Sequence, residues 1–236
     1  MKCPVRLICC VSEEIRRRNI ELSAGHKEPT GTGRLAIVGG GPSIRAAAHS
    51  IPDMDIWAIN GAARYCVSLG LKRVSIYSVD PEPLLAELCD PAIESAVFAA
   101  HCDPSAYEAM KGRKVFRVDA FEAPGPTTAV AATTVAIRCG YEGIDFYGCE
   151  SSYEGTTHAY EWKDNLSGLM KVRSGGKDYL TKPEMLSQAE QLASVIREFP
   201  KIYTDKSGGL LGALIENDLE YEVIAVHRNM LKKTAA

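Results

Sequence analysis

Glu150, Tyr153, His158 and Tyr160 put a carboxylate, two phenols and an imidazole within eleven positions, directly after a short apolar run. An imidazole titrates near neutral pH, so His158 in a polar stretch suits general acid–base work. Glu150 suits taking a proton from a hydroxyl. The same groups can instead hold a phosphate or brace a loop, and their spacing is compatible with each role.

Binding candidates lie elsewhere in the chain. Gly39-Gly40-Gly41-Pro42-Ser43 allows a tight turn, and Pro42 suits the first position of a helix whose free N–H groups can hold an anion. A plain strand-to-helix turn explains the run equally simply. It is not the dinucleotide fingerprint: counting G-x-G-x-x-G from Gly39 puts Ile44 where the third glycine belongs, and Asn60 rather than an acid ends the next strand. Gly175-Gly176-Lys177-Asp178 lacks the spacing and the hydroxyl of a Walker sequence. Asn60-Gly61 and Asp80-Pro81-Glu82 follow two further strand-like runs. Each reads as turn chemistry alone, or together as the polar wall of a pocket. Thr127 and Thr128 precede an Ala-rich helix, where they can cap it or join its N–H groups in holding a phosphate.

These groups need elements to carry them. Apolar runs at Arg34–Val38, Asp55–Ile59, Arg73–Val79, Ala96–Ala100, Lys114–Val118 and Gly143–Tyr147 read as strands. Helical patterns begin at Ile44 and cover Ala62–Leu69, Thr127–Cys139 and Pro183–Phe199; late strands are expected at Lys201–Thr204 and Tyr221–Ala225. The alternation predicts an α/β fold, Rossmann-like, with a mostly parallel sheet covered by helices on both faces. In such sheets ligands bind outside the carboxyl ends of the strands, where the residues above fall. Residues 1–33 read as an N-terminal extension and linker that holds a strand-like run, Val5–Val11, and a charged patch, Glu13–Arg18. Residues 34–236 read as one Rossmann-like domain. Loops 81–95, 101–113 and 150–182 are too irregular to assign.

Composition narrows the classes. With 236 residues, 46% of them hydrophobic, the chain can bury a real core, which excludes a disordered or collagen-like protein. A net charge of −3 disfavours a nucleic-acid partner held by bulk positive charge, and the basic tail Arg228–Lys233 reads as a solvated end. No apolar stretch reaches the ~20 residues of a membrane helix, and Val5–Val11 contains Arg6 and lacks a cleavage site, so no signal peptide is expected. The eight cysteines contain no C-x-x-C pair, so neither zinc nor a disulfide framework is expected, and a reducing cytoplasm is.

Taken in order, Gly39–Ser43, Ala58-Ile59-Asn60-Gly61, Asp80-Pro81 and the block Ala129–Tyr160 resemble the MptE-like family, with Gly140–Ile144 the closest stretch. That family holds an archaeal 6-hydroxymethylpterin diphosphokinase and flagellin-modifying accessory proteins. The same series is similar to bacterial sialyltransferases that use CMP-sialic acid. The resemblance spans roughly residues 34–226. It implies a nucleotide held by the Gly-Pro-Ser turn, Asn60 and the Thr127-Thr128 helix start, and transfer of a group from it. Glu150 stands where both groups carry Asp. The sialyltransferases' loop histidine is missing from Val172–Thr181, which offers Arg173, Lys177, Asp178 and Tyr179.

Three functions follow from the resemblance. The first is a glycosyltransferase using a CMP-type nucleotide-sugar, with Glu150 or His158 as base, Tyr153 and Tyr160 on the leaving phosphate, and Arg173 or Lys177 covering it. The second is a diphosphokinase in which Asp80 and Glu150 hold Mg²⁺ for ATP. The third is a nucleotide-binding module without catalysis. The acceptor is not legible, and residues 1–33 are free to pack against a second copy in a homo-oligomer.

Overall fold

The computed structural model describes residues 12–22, 28–118, 127–153, 155–161 and 168–227. The expected strand at Val5–Val11 and the basic tail lie outside these residues. The predicted alternation is present, with two short helices, α4 and α5, inside loops the sequence left unassigned: β1 (Arg34–Val38), α2 (Ile44–Ala47), β2 (Asp55–Ile59), α3 (Ala62–Ser68), β3 (Val74–Ser78), α4 (Leu85–Leu88), β4 (Ser95–Ala99), α5 (Pro104–Ala109), β5 (Lys114–Val118), α6 (Thr128–Arg138) and β6 (Gly143–Tyr147). Then follow β7 (Leu169–Ser174), β8 (Lys177–Thr181), α7 (Pro183–Glu198), β9 (Tyr203–Asp205), α8 (Gly209–Glu216) and β10 (Glu222–His227), with α1 (Glu13–Leu22) ahead of them all.

Seven strands form one parallel sheet in the order β5-β4-β3-β2-β1-β6-β9. Strands buried on both faces carry continuous apolar runs, which is why Leu35 to Val38 and Gly143 to Tyr147 are wholly buried. From β1 the chain steps outward to β5, then returns to place β6 on the other side of β1. The sheet therefore has a topological switch point between β1 and β6, and a crevice opens at their carboxyl ends. At the opposite ends, Arg34 forks onto Asp145 (3.1 and 2.6 Å) and reaches Thr204 (3.1 Å), fastening β1, β6 and β9 side by side. Ala129, Ala132 and Ala136 are buried, so α6 lies close over β1, β2 and β6.

Further features differ from the sequence reading. Val172–Thr181, expected as a loop, is a hairpin of β7 and β8. Its Gly175-Gly176 turn takes φ of 57° and 77°, the paired left-handed geometry that matches strand twist. The last strand leaves the main sheet and pairs antiparallel with β7 in a small sheet ordered β10-β7-β8. The charged patch at Glu13 is the start of α1, which packs on α5. Leu210, Leu211 and Leu214 bury one side of α8, which the sequence reading did not assign.

Candidate functional site

The crevice at the switch point is a cavity of about 320 Å³. Its wall combines the turn after β1 (Gly39–Gly41), the end of β2 (Asn60, Gly61), the start of α6 (Thr127–Ala129), the end of β6 (Gly148–Tyr153), the loop bearing Thr157, His158 and Tyr160, and Met185 and Gln188 of α7. Most of the residues singled out from the sequence therefore meet in one place, although they span more than a hundred positions of chain.

The glycine turn is braced from within. Gly39 N–H donates to Tyr147 O (2.7 Å) and Gly41 N–H to Gly148 O (2.9 Å), so β1 and β6 remain zipped past their ends. Ser43 donates both its N–H and its hydroxyl to the carboxylate of Glu150, each at 2.8 Å. Glu150 is 5% exposed and lies where a Cβ on Gly41 would fall. The N–H groups of Gly39, Gly41 and Ser43 thus already serve Tyr147, Gly148 and Glu150. Pro42 offers no N–H. A Cβ on Gly40 or Gly61 would lie 2.7 or 2.8 Å from the Tyr160 hydroxyl, so these two glycines make the slot that seats the Tyr160 ring.

His158 sits over this slot, its ring 5.3 Å from that of Tyr160, which packs on Tyr65 at 5.9 Å. His158 Nδ1 lies 3.2 Å from the Thr157 hydroxyl. Burial raises the Tyr160 phenol above its ordinary range, so it remains protonated and acts as a neutral hydrogen-bonding group. The Cys149 thiol on the floor is fully buried. Desolvation and the neighbouring Glu150 carboxylate push its pKa up, which makes it a poor nucleophile.

At the α6 start, Thr127 takes an extended conformation and donates its hydroxyl to Gln188 Oε1 (2.6 Å). Gln188 Nε2 donates to Ser151 Oγ (2.9 Å), and Ser151 Oγ donates to Cys149 O (3.1 Å). The chain fixes the direction of every proton and ties α6, α7 and the β6 loop together. Gln188 was not singled out from the sequence, and its signal is only tertiary; Ser151 stood in the block after β6 without a role of its own. The helix start lies at the cavity wall, where its first-turn N–H groups and dipole favour an anion.

Asn60 ends β2 in the left-handed region (φ 48°), and its Oδ1 is buried without a hydrogen-bond partner. Asp80 lies apart, lining a small recess beside Asn60 with Glu82 and Leu85, and its Oδ1 caps the turn through Glu82 N–H (3.1 Å). Asp80 and Glu150 therefore line different cavities. Among the described residues no group of three or more His, Cys, Asp or Glu side chains is placed to hold a metal ion. Arg173 and Lys177 do not join the cleft either. They belong to the β7–β8 hairpin, where Arg173 and Lys171 grip Asp178 at 2.6 and 2.5 Å and hold its carboxyl down at about 2. Pro42 and Ser43 do not line the cavity.

Fold and cleft together define an α/β protein with a Rossmann-like parallel sheet and a ligand-sized crevice at the switch point. The same fold occurs in the MAf glycosyltransferase of Magnetospirillum magneticum AMB-1, which matches with a TM-score of 0.56 and 16% identity over 83% of this chain. The match covers 36% of that protein, so the chain spans about a third of its length. No protein-family model and no curated protein matches the sequence. Among the described residues no helix is long and apolar enough to cross a membrane.

Proposed function

We propose that the protein is a glycosyltransferase that takes a nucleotide-sugar of the CMP type, in which a single phosphate links nucleoside and sugar. One observation carries the reading: the N-terminus of α6 and the imidazole of His158 line the same cavity, with Asn60, whose buried Oδ1 has no hydrogen-bond partner, a third lining residue. A cavity of this size falls within the ~300–1,000 Å³ usual for small ligands. Its lining among the described residues includes no Lys or Arg. Helix N–H groups and hydroxyls suit one phosphate better than two, and the fold is shared with a glycosyltransferase.

In this reading the α6 start holds the phosphate and Asn60 Oδ1 accepts a hydrogen bond from the nucleoside. The acceptor hydroxyl oxygen bonds to the anomeric carbon, and its proton passes to His158. The bond between that carbon and the phosphate oxygen breaks, and the electron pair leaves with the phosphate. The rising charge there meets the α6 dipole and the Tyr160 hydroxyl. Tyr153 sits at the rim beside Lys182, whose ammonium lies 5.9 Å from its ring centre. Glu150 serves as the brace of the glycine turn.

Thermal unfolding with CMP, CDP, UDP, or ATP with and without Mg²⁺ tests the proposal. Stabilisation by CMP without metal, greater than that by CDP or UDP, is expected. Stabilisation by ATP only with Mg²⁺ would overturn it in favour of a diphosphokinase, which requires Asp80 and Glu150 to share an ion. Binding of CMP with no hydrolysis of a CMP-sugar would leave a binding module.

A further inference from the structure

We infer that Arg45, an exposed residue of α2 that does not line the cavity, is the positioning residue for His158. The inference rests on the glycosyltransferase reading for its consequence in catalysis, and on geometry alone for the mechanical claim.

The segment 155–161 carries Thr157, His158 and Tyr160 into the cavity and has neither helix nor strand of its own. Its backbone is held from outside. Ala159 N–H donates to Gly40 O at 2.9 Å. Arg45 Nε donates to Ala159 O at 2.9 Å, and Arg45 Nη2 donates to His158 O at 3.2 Å. The peptide plane joining His158 to Ala159 is therefore gripped at both ends, its carbonyl by Arg45 and its N–H by Gly40. The following plane is gripped by the second arm of the same guanidinium.

Two successive planes held in this way fix the backbone that aims the imidazole. Tyr160, seated in the slot of Gly40 and Gly61, holds the other side. The two grips come from the turn after β1 and from α2, which follows it directly, and Glu150 locks that turn through Ser43. The chain of support runs from Glu150 to Ser43, through α2 to Arg45, and from there to His158.

The chemistry of the grip is specific to arginine. Two carbonyls one residue apart need two N–H donors in a rigid planar fork, and a lysine ammonium is a single point on a flexible stem. Among the described residues no carboxylate pairs with Arg45, so its charge is directed to these carbonyls.

Amide hydrogen exchange and kinetics on the full chain test the inference, with Arg45→Ala and Arg45→Lys. In R45A, exchange in 155–161 accelerates while the main sheet is unchanged; kcat for hydrolysis of a CMP-sugar falls about 10- to 100-fold, with KM and the CMP-induced thermal shift within about twofold. R45K does not restore kcat. Unchanged exchange in 155–161, exchange rising uniformly across the sheet, or full rescue by R45K would each overturn the inference. If the wild-type protein neither binds CMP nor turns over a CMP-sugar, the glycosyltransferase reading fails, while the exchange result still decides whether Arg45 holds the loop.

Discussion

Thr127 donates its hydroxyl to Gln188 Oε1 at 2.6 Å, joining the first residue ahead of α6 to the cavity face of α7. Because Gln188 Nε2 is committed to Ser151, the amide cannot turn over without breaking two bonds. Gln188→Glu replaces that donor with an acceptor and adds charge beside the α6 start. Anion binding should fall at least about tenfold, equivalent to roughly 1.4 kcal/mol, as read from the CMP dependence of thermal unfolding. Unaltered affinity would show that the phosphate lies elsewhere.

Gly61→Ala should destabilise the protein by about 1–3 kcal/mol, because its new methyl would lie 2.8 Å from the Tyr160 hydroxyl. If the slot exists for Tyr160, the penalty disappears in a Tyr160→Ala background. A double-mutant cycle by urea unfolding measures that coupling.

Asn19 is fully buried, and its amide donates to Ala100 O (2.9 Å) and Cys102 O (2.6 Å). Asn19→Ala leaves two buried carbonyls unsatisfied and should cost about 1–3 kcal/mol in urea unfolding. A cost near zero would mean that α1 does not stay docked on α5 in solution.

Burial pushes the thiols of Cys66 to about 12 and of Cys89 and Cys139 to about 11, from 9.0. These pKa values are raised in the folded state, so the stability they contribute is present below pH 9 and is lost as pH rises from 9 to about 12. Urea midpoints should therefore fall across that window. Cys66, Cys89, Cys102, Cys139 and Cys149, all buried, should resist a thiol reagent at pH 8 until the chain unfolds.

Much of the fold was legible locally. Continuous apolar runs such as Leu35–Val38 announce strands buried on both faces, and their alternation with helices requires parallel pairing. The cavity was legible to the extent that strand ends in such sheets converge, which is how Asn60, Thr127 and His158 came together. The β7–β8 hairpin was missed although Lys171 and Arg173 alternate with the buried Met170 and Val172, because the run is short and its other inward positions include the polar Ser174 and Thr181. Asp80 was misleading because an Asp-Pro turn carries the same residue types as a ligand.

Periodicity and turn chemistry are properties of neighbouring residues, so the parallel sheet, the glycines at its carboxyl edge and the residue types that reach the crevice follow from residue order alone. Which of those residues face a ligand and which face one another follows from packing. Gly41 is small because Glu150 fills its space, and Gly40 and Gly61 because Tyr160 does. Ser43 serves Glu150, and Arg45 serves two carbonyls more than a hundred residues away. Such assignments depend on which donor meets which acceptor after packing. In a densely packed interior that depends on the whole fold, beyond the reach of any local pattern.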